Sequence, residues 1–153
     1  MEDENLNQTI EEAITKFQFV MLHLNKEIVE MVKETGLGNL LSREQIEAMR
    51  IIQTEGKLTI NELAALQNIF KTAASKRIVK LEEMGYVERA YSENKRIKLI
   101  QLSTEGEAFL KKATSVMIEA VKERIGDKFT AEEIHVFVEQ LTRLNDAFKA
   151  SRN

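Results

Sequence analysis

The 153-residue sequence contains no cysteine, no proline and no tryptophan. Without cysteine, disulfides, thiol redox switching, cysteine-ligated zinc and a cysteine nucleophile are all excluded. No proline-rich linker, low-complexity segment or internal repeat divides the chain. The length therefore suits one compact domain, or one domain with an appended helical scaffold.

Long hydrophobic runs are also lacking. The start of the chain, Met1–Gln8, is polar and acidic, unlike a signal peptide. No apolar run approaches the roughly 20 residues of a membrane span. Hydrophobic residues make up 43% of the chain, enough for a core, so disorder is not expected. We predict a soluble, cytoplasmic protein with no membrane partner.

Patterns typical of enzymes are absent as well. There is no Gly-x-Ser-x-Gly elbow, P-loop or dinucleotide-binding glycine pattern. His23 and His135 are the only histidines, and no carboxylate spacing around them specifies a metal site, so surface or interface positions are favoured. The Glu132-Glu133 pair fits a helix N-terminus better than acid–base catalysis. We predict that the chain is not an enzyme and uses no metal or cofactor.

Positive charge is concentrated in one segment of an otherwise acidic chain. From Lys71 to Lys98 there are eight basic and four acidic residues, a local charge of +4. The remainder has fourteen basic and twenty-one acidic residues, or −7. This distribution favours a polyanion binding at one place. A solvated charged face is the alternative.

Apolar stripes at both ends of the chain predict long amphipathic helices. Steps of four and three residues describe the first stripe, which predicts a helix of roughly 25 residues ending near Gly36 and Gly38. Its members are Ile10, Ile14, Phe17, Met21, Leu24, Ile28 and Met31. The second stripe, in a helix ending near Ala150, consists of Ile134, Phe137, Leu141, Leu144 and Phe148. Exposing both stripes in a monomer would leave a large apolar patch, so we predict a homodimer.

Capping signals divide the rest of the chain into helices. Three capping boxes are predicted, at Ser42/Gln45, Thr59/Glu62 and Thr130/Glu133. Gly56 and Gly85 are predicted to end two helices. Ser103 or Thr104 caps a further helix that extends to about Ile125.

The middle of the chain combines two helices with a hairpin. A short helix, Ile60–Gln67, has Leu63, Ala64 and Leu66 as inner positions, and Asn68 suits the left-handed turn after it. A helix follows from about Lys71 to Met84. Next come β-like segments at Tyr86–Tyr91 and Arg96–Leu102, joined by a turn at Ser92–Lys95. This order is typical of a winged helix-turn-helix.

The helix from Lys71 has two distinct faces. Ala74, Ile78 and Leu81 define its buried side on a helical wheel. The opposite side consists of Thr72, Lys76, Val79 and Glu83, flanked by Ser75, Ala73 and Lys80. Small residues let a backbone approach the major groove, while threonine, serine and lysine bind base edges and phosphates. A DNA-recognition helix is favoured over a solvated face.

Three consecutive parts of the chain form a characteristic set: ELAALQNIFKTAASKRIVKLEEMGYV from Glu62 to Val87, the hairpin, and LSTEG at Leu102–Gly106. Together they resemble the MarR family of bacterial transcription regulators. The resemblance covers almost the whole chain. It implies a mainly α fold with a small β-hairpin wing, a winged helix-turn-helix with a helical dimerisation scaffold. The implied regions are residues 1–36 and 104–153 for dimerisation and 42–103 for DNA binding.

The resemblance also implies particular contacts. Ser75 and Lys76 match the polar and basic pair that faces the major groove, and Arg96 matches the wing-tip arginine that lies at the minor groove. Asn94 replaces the usual wing aspartate, which fixes that arginine through a salt bridge, so a neutral hydrogen bond is expected instead. The candidate DNA-binding residues are Lys71, Thr72, Ser75, Lys76, Lys80, Asn94, Lys95, Arg96 and Lys98.

A second departure from the family concerns Phe70, which stands where a polar cap often precedes the recognition helix. Two outcomes are open: a less rigid helix start, or burial of Phe70 in the turn. The family also implies a pocket for a small aromatic or apolar ligand. Aromatic and methionine side chains of the first helix are candidates for its lining, although core or dimer packing is favoured for them: Phe17, Phe19, Met21 and Met31.

The expected function is a sequence-specific transcription regulator, a repressor, that binds a pseudo-palindromic operator in double-stranded DNA as a homodimer and is released by a small molecule. The alternative is a winged-helix protein-interaction module that has lost DNA binding.

Overall fold

The computed structural model describes residues 2–34, 36 and 41–151. Its elements, in chain order, are α1 (Glu2–Glu34), α2 (Arg43–Glu55), α3 (Ile60–Gln67), α4 (Lys71–Glu83), β1 (Val87–Ala90), β2 (Leu99–Leu102), α5 (Thr104–Ile125) and α6 (Ala131–Ala150). The predicted fold class, mainly α with a β-hairpin wing, is confirmed. The chain divides into two compact units, Met1–Met117 and Ile118–Asn153, with the boundary inside α5.

The first helix is longer than predicted. It spans 33 residues, because the polar segment before Ile10 is helical too; acidic residues such as Asp3 are favourable in a first turn. Five members of its apolar stripe are 37–53% exposed: Ile10, Ile14, Phe17, Met21 and Leu24. Gly36, a predicted stop, has φ +73. The other predicted stop, Gly38, and the side chain of Met31 lie outside the described residues.

All three capping boxes are confirmed. In each, the Ser or Thr hydroxyl accepts from the N–H three residues on, and the Gln or Glu side chain accepts from the cap N–H. At Ser42 these two distances are 3.2 and 2.7 Å. Gly56 ends α2 and Asn68 ends α3 in the left-handed region, as predicted.

A tight connection joins α4 to β1. Gly85 has φ +80, and its N–H donates to the Glu82 carbonyl at 2.9 Å. The Tyr86 N–H donates to the Leu81 carbonyl, also at 2.9 Å. This pair of hydrogen bonds is a Schellman motif, which glycine adopts without the steric cost of a side chain.

The hairpin is shorter than predicted. Val87 pairs with Leu102 and Ala90 with Leu99 in an antiparallel register, so the predicted strands Tyr86–Tyr91 and Arg96–Leu102 were too long. Turn hydrogen bonds centred on Asn94 keep residues 91–98 out of the ladder, and we call this segment the wing loop. Leu58, predicted as a short extended link, adds a bridge to Ile100.

One apolar core lies within residues 41–113. Its largest fully buried side chains are Met49, Ile52, Leu63, Ile78, Leu81, Ile100 and Leu110. They come from α2, α3, α4, β2 and α5, so the winged helix-turn-helix and the start of α5 share this core. Leu66, predicted as an inner position, is 51% exposed. The prediction failed because the short α3 buries only one narrow side, which Leu63 and Ala64 occupy.

The C-terminal unit has a different character. Its helix α6 contains no buried residue. The predicted apolar stripe is 37–63% exposed in Ile134, Phe137, Leu141, Leu144 and Phe148. Helix packing within the single chain therefore leaves this stripe open. Among the described residues, none of the helices has both the length and the apolarity needed to cross a membrane.

Ser103 and Gly106 fix the start of α5 against the end of α4. The buried Ser103 hydroxyl accepts from the Gly106 N–H at 3.0 Å and donates to the Gly85 carbonyl. A Cβ on Gly106 would lie 2.1 Å from the Tyr86 carbonyl oxygen, far inside contact distance. Glycine is therefore required by close approach of the two backbones.

We predict that Gly106→Ala lowers the free energy of unfolding by about 1–3 kcal/mol, because backbone must shift to admit the methyl group. Alanine's higher helix propensity would favour the opposite sign. Urea denaturation measures the change. Glu105→Ala, at the exposed neighbouring position, is the control and should stay within about 0.5 kcal/mol. Equal stability of Gly106→Ala and the parent chain would contradict this packing.

Candidate nucleic-acid interface

Helix α4 presents one face to the core and the other to solvent. Ala74, Ile78 and Leu81 are completely buried, as predicted. Burying an isoleucine or leucine side chain stabilises a fold by about 1.5–3 kcal/mol. These contacts fix the rotation of α4 about its own axis.

The rotation leaves the predicted polar side of α4 open. Exposed side chains on this side are Thr72, Lys76, Val79, Lys80 and Glu83, and Ser75 beside them is half-buried. We call these six residues the exposed α4 face. Its first two turns have a hydroxyl, a second hydroxyl and an ammonium group, which can donate to base edges or phosphates.

One cation of the basic segment is used internally. The Arg77 guanidinium donates to the Gln67 side-chain oxygen at 2.9 Å, linking α4 to α3. Gln67 in turn donates to the Glu44 carbonyl of α2 at 3.3 Å. Arg77 is half-buried, in contrast to its exposed neighbour Lys76. Its contacts give it a role in holding the helices together.

The N-terminus of α4 has no side-chain cap. Phe70 is the N-cap residue, with extended backbone angles of φ −69 and ψ 147, and its side chain accepts no hydrogen bond. The side chain is 86% exposed, so burial of Phe70 in the turn is wrong. The backbone of Phe70 is extended and not helical. Its side chain therefore does not follow the helical spacing that would have turned it towards the core. Replacing a polar N-cap by an apolar residue costs about 0.5–2 kcal/mol.

Asn94 organises the wing loop. Its side-chain oxygen accepts from the Arg96 N–H at 3.0 Å, and its carbonyl accepts from the Ile97 N–H at 2.9 Å. The Ser92 hydroxyl donates to the same carbonyl. The hydrogen bond from Asn94 therefore goes to the backbone of Arg96 and not to its guanidinium, which differs from the side-chain bond expected in place of the salt bridge. The Arg96 side chain is exposed.

Strand β1, the wing loop, the start of α3 and the start of α4 line an open cleft of about 480 Å³. Four cationic side chains line it: Lys71, Arg89, Arg96 and Lys98. The remaining lining residues are Thr59, Ile60, Asn61 and Ile97, none of them acidic. We call this site the cationic cleft. Such a concentration of positive charge favours a phosphate-bearing partner.

The structure brings some candidate residues together and leaves others apart. Lys71, Arg96 and Lys98 meet at the cationic cleft. Lys95 lines a neighbouring depression with Lys98. The exposed α4 face contains four more candidates: Thr72, Ser75, Lys76 and Lys80.

Arg89, Thr59 and Asn61 were not among the candidate residues. Arg89 lies on β1 and forms an ion pair with Glu82 of α4, with a distance of 3.0 Å between its Nε and the carboxylate. Its membership of the basic segment was the only signal in the sequence. The fold alone brings it to Lys71, because the hairpin turns back beside the start of α4.

The remaining titratable groups do not suggest a metal centre. In the part of the chain that the structure describes, no three His, Asp or Glu side chains are grouped as metal ligands would be. His23 and His135 are both exposed, in agreement with the surface positions favoured for them.

We predict that Arg77→Ala lowers the free energy of unfolding by about 1–3 kcal/mol, because the half-buried Gln67 loses its partner. Lys76→Ala, one residue earlier and exposed, should stay within about 0.5 kcal/mol. Thermal or urea denaturation of the two variants provides the comparison. If both substitutions had the same effect on stability, Arg77 would not be the internal link described above.

The chain is similar to known proteins both in sequence and in structure. Residues 41–98 match the model of the MarR family. The chain is 29% identical over 147 residues to the HTH-type transcriptional regulator YdgG of Bacillus subtilis (strain 168). That match covers 94% of this chain and 90% of YdgG.

Two solved structures have the same fold. A MarR family protein from Bacillus stearothermophilus gives a TM-score of 0.77 at 20% identity, covering 94% of this chain and 97% of that chain. A mutant of MarR from E. coli, complexed with operator DNA, gives a TM-score of 0.58 at 19% identity, covering 86% and 95%.

The family match falls on the winged helix-turn-helix, and the similarity to YdgG covers 94% of the chain. Members of this family are non-enzymatic regulators, so the expectation that the chain is not an enzyme is confirmed. The resemblance carried by Glu62–Val87 and Leu102–Gly106 is confirmed too. The winged helix-turn-helix of this chain, residues 41–98, matches the MarR family, and most of the chain is similar in sequence to HTH-type transcriptional regulators.

Proposed function

We propose that the chain is a sequence-specific regulator that binds double-stranded DNA through the exposed α4 face and the cationic cleft. The observation that carries the proposal is the placement of an open, hydroxyl- and ammonium-bearing helix face beside a cleft lined by four cations. A mutant of MarR from E. coli with this fold was solved in complex with operator DNA, which supports DNA as the partner of this chain.

The two parts of this surface have different roles. Thr72, Ser75 and Lys76 lie in the first turns of α4, where recognition helices contact base edges in the major groove. The cationic cleft binds the phosphate backbone, and Arg96 at the wing reaches the adjacent minor groove. Lys80, Asn94 and Lys95 complete the candidate set, with Asn94 acting through the wing-loop backbone.

A homodimer is the second part of the proposal. The apolar stripes of α1 and α6 are each largely exposed in the single chain, and a second copy would cover them. The regions 1–36 and 104–153 then serve dimerisation, and 42–103 serves DNA binding. Two-fold symmetry implies a pseudo-palindromic operator with half-sites about one helical turn apart.

Repression in the cytoplasm is the proposed mode of action. A dimer seated over a promoter obstructs transcription, and a small, partly apolar effector would release it by changing the spacing of the two α4 helices. Thiol oxidation cannot provide the signal, because the chain has no cysteine.

We predict different effects for Lys76→Ala and Arg96→Ala on DNA binding. Losing a base contact at Lys76 should weaken the binding free energy for the operator by about 1–3 kcal/mol. The difference in affinity between operator and random DNA should therefore become smaller. Losing Arg96 should weaken both duplexes more evenly and reduce the slope of log affinity against log salt by about one. Fluorescence anisotropy over a salt series, on a duplex selected with the parent chain, measures both quantities.

Arg43→Ala, which removes an exposed cation outside the exposed α4 face and the cationic cleft, is the charge-matched control for this series. If both variants bind as the parent chain does, the exposed α4 face and the cationic cleft are not the DNA-binding surface. If the parent chain itself binds no duplex even at low salt, the protein-interaction module becomes the better account.

Dimerisation has its own prediction. At micromolar concentration, light scattering should give twice the chain mass of 17.6 kDa. Replacing Phe137 and Leu144 of the α6 stripe by glutamate should yield a monomer, because buried charges without partners are costly at an apolar interface. As a control, reversing the charge at two exposed positions outside the stripe, with Glu139→Lys and Arg143→Glu, should leave the dimer intact. A monomeric parent chain would refute the proposed scaffold.

A further inference from the structure

Two aromatic side chains near the proposed DNA surface are unusually exposed. Phe70 is 86% and Tyr91 is 78% exposed, the highest values among the large hydrophobic residues that the structure describes as exposed. Most other exposed apolar residues belong to α1 and α6, where dimerisation accounts for them. Phe70 needs another explanation, because it lies at the N-terminus of α4.

The chain departs from its own capping rule at this residue. Ser42, Thr59, Ser103 and Thr130 each accept a hydrogen bond in the first turn of their helices. At α4, Phe70 supplies only its carbonyl, which accepts from the N–H groups of residues 73 and 74 at 3.0 and 3.2 Å. Phe70 gives up the N-cap hydrogen bond and gains no buried contact in return. A departure of this kind is expected at functional positions.

The chemistry of the major groove indicates a partner for an exposed phenyl ring. Among the groups that base pairs present there, the C5-methyl of thymine is the apolar one, and phenylalanine is among the side chains that contact it. Recognition helices place their N-terminal residues nearest the base edges. Phe70 immediately precedes that part of α4, one turn or less from Thr72.

We propose that Phe70 is a specificity-determining residue that packs against the C5-methyl group of a thymine in each operator half-site. The inference rests on the proposed function, since it requires α4 to enter the major groove. It extends that function by assigning an apolar contact, and therefore a preference for thymine, to a position that has no hydrogen-bonding side chain.

The test is a double-mutant cycle between protein and DNA. A duplex selected with the parent chain is resynthesised with deoxyuridine replacing each thymine in turn, which removes only the methyl group. We expect one position per half-site at which this change weakens parent binding by about fourfold, the effect of exposing one methyl-sized group. Phe70→Ala removes the ring from both half-sites, so binding to the unmodified duplex should fall by about sixteenfold, the square of that factor, and the effect of that deoxyuridine should disappear.

Phe70→Ser separates recognition from helix stability. Serine restores a hydrogen-bonding N-cap, so Tm should rise by about 2–4 °C, whereas the thymine preference should vanish as it does in Phe70→Ala. A purely structural role for Phe70 would instead make affinity follow stability. Leu66→Ala, which removes an exposed apolar side chain outside the exposed α4 face, the cationic cleft and the dimerisation regions, should preserve the deoxyuridine effect.

The outcomes distinguish this inference from the proposed function. If the parent chain binds DNA and Lys76→Ala weakens specificity, but Phe70→Ala leaves every deoxyuridine effect unchanged, the methyl contact is refuted and the DNA surface stands. If Phe70→Ala lowers affinity equally for all duplexes, the ring contacts sugar or backbone, which also overturns the inference. Failure of the parent chain to bind any duplex refutes the proposed function itself.

Discussion

Burial of one side of α4 is the constraint on which the proposed DNA surface depends. Ala74, Ile78 and Leu81 are fully enclosed by the core of the winged helix-turn-helix, and this contact leaves the helix only one rotation about its axis. The opposite side must then face solvent with its hydroxyls and ammonium groups. Packing energy in the core thus determines which chemistry the surface displays, and the Arg77–Gln67 hydrogen bond holds the same orientation from the α3 side.

The wing adds charge to this geometry through backbone contacts. Pairing of β1 with β2 returns the chain beside the start of α4, and Asn94 holds the backbone of Arg96 in the turn. Four cations consequently line one cleft although they are distributed between Lys71 and Lys98 in sequence. This concentration of positive charge is suited to a phosphate backbone. One of the four, Arg89, is paired with Glu82 in the free chain.

The helices could be predicted because their capping signals are local in sequence. The strand ends and the lining of the cationic cleft depend on contacts between distant residues and were predicted less well. Capping boxes such as Thr59/Glu62 act within four residues, so the bounds of α3 follow directly from sequence. The strand ends depend on the Asn94 turn competing with the ladder, which periodicity does not reveal. Arg89 comes close to Lys71 only because the hairpin folds back beside α4. The exposure of Phe70 was not predicted because its backbone is extended, so its side chain does not follow the helical repeat. The predicted DNA-binding residues remain a prediction, supported for all except Asn94 and Lys95 by their placement on the exposed α4 face or in the cationic cleft.

The most direct test of this account is hydrogen–deuterium exchange of the chain with and without its selected duplex. Amides in the first turn of α4 and in the wing loop lack a complete set of intrahelical or ladder partners, so a bound DNA backbone should slow their exchange. The account predicts new protection in residues 70–73 and 91–98 and little change in α2, whose amides are already bonded within the helix. New protection confined to α1 or α6, with none in the wing loop, would contradict it.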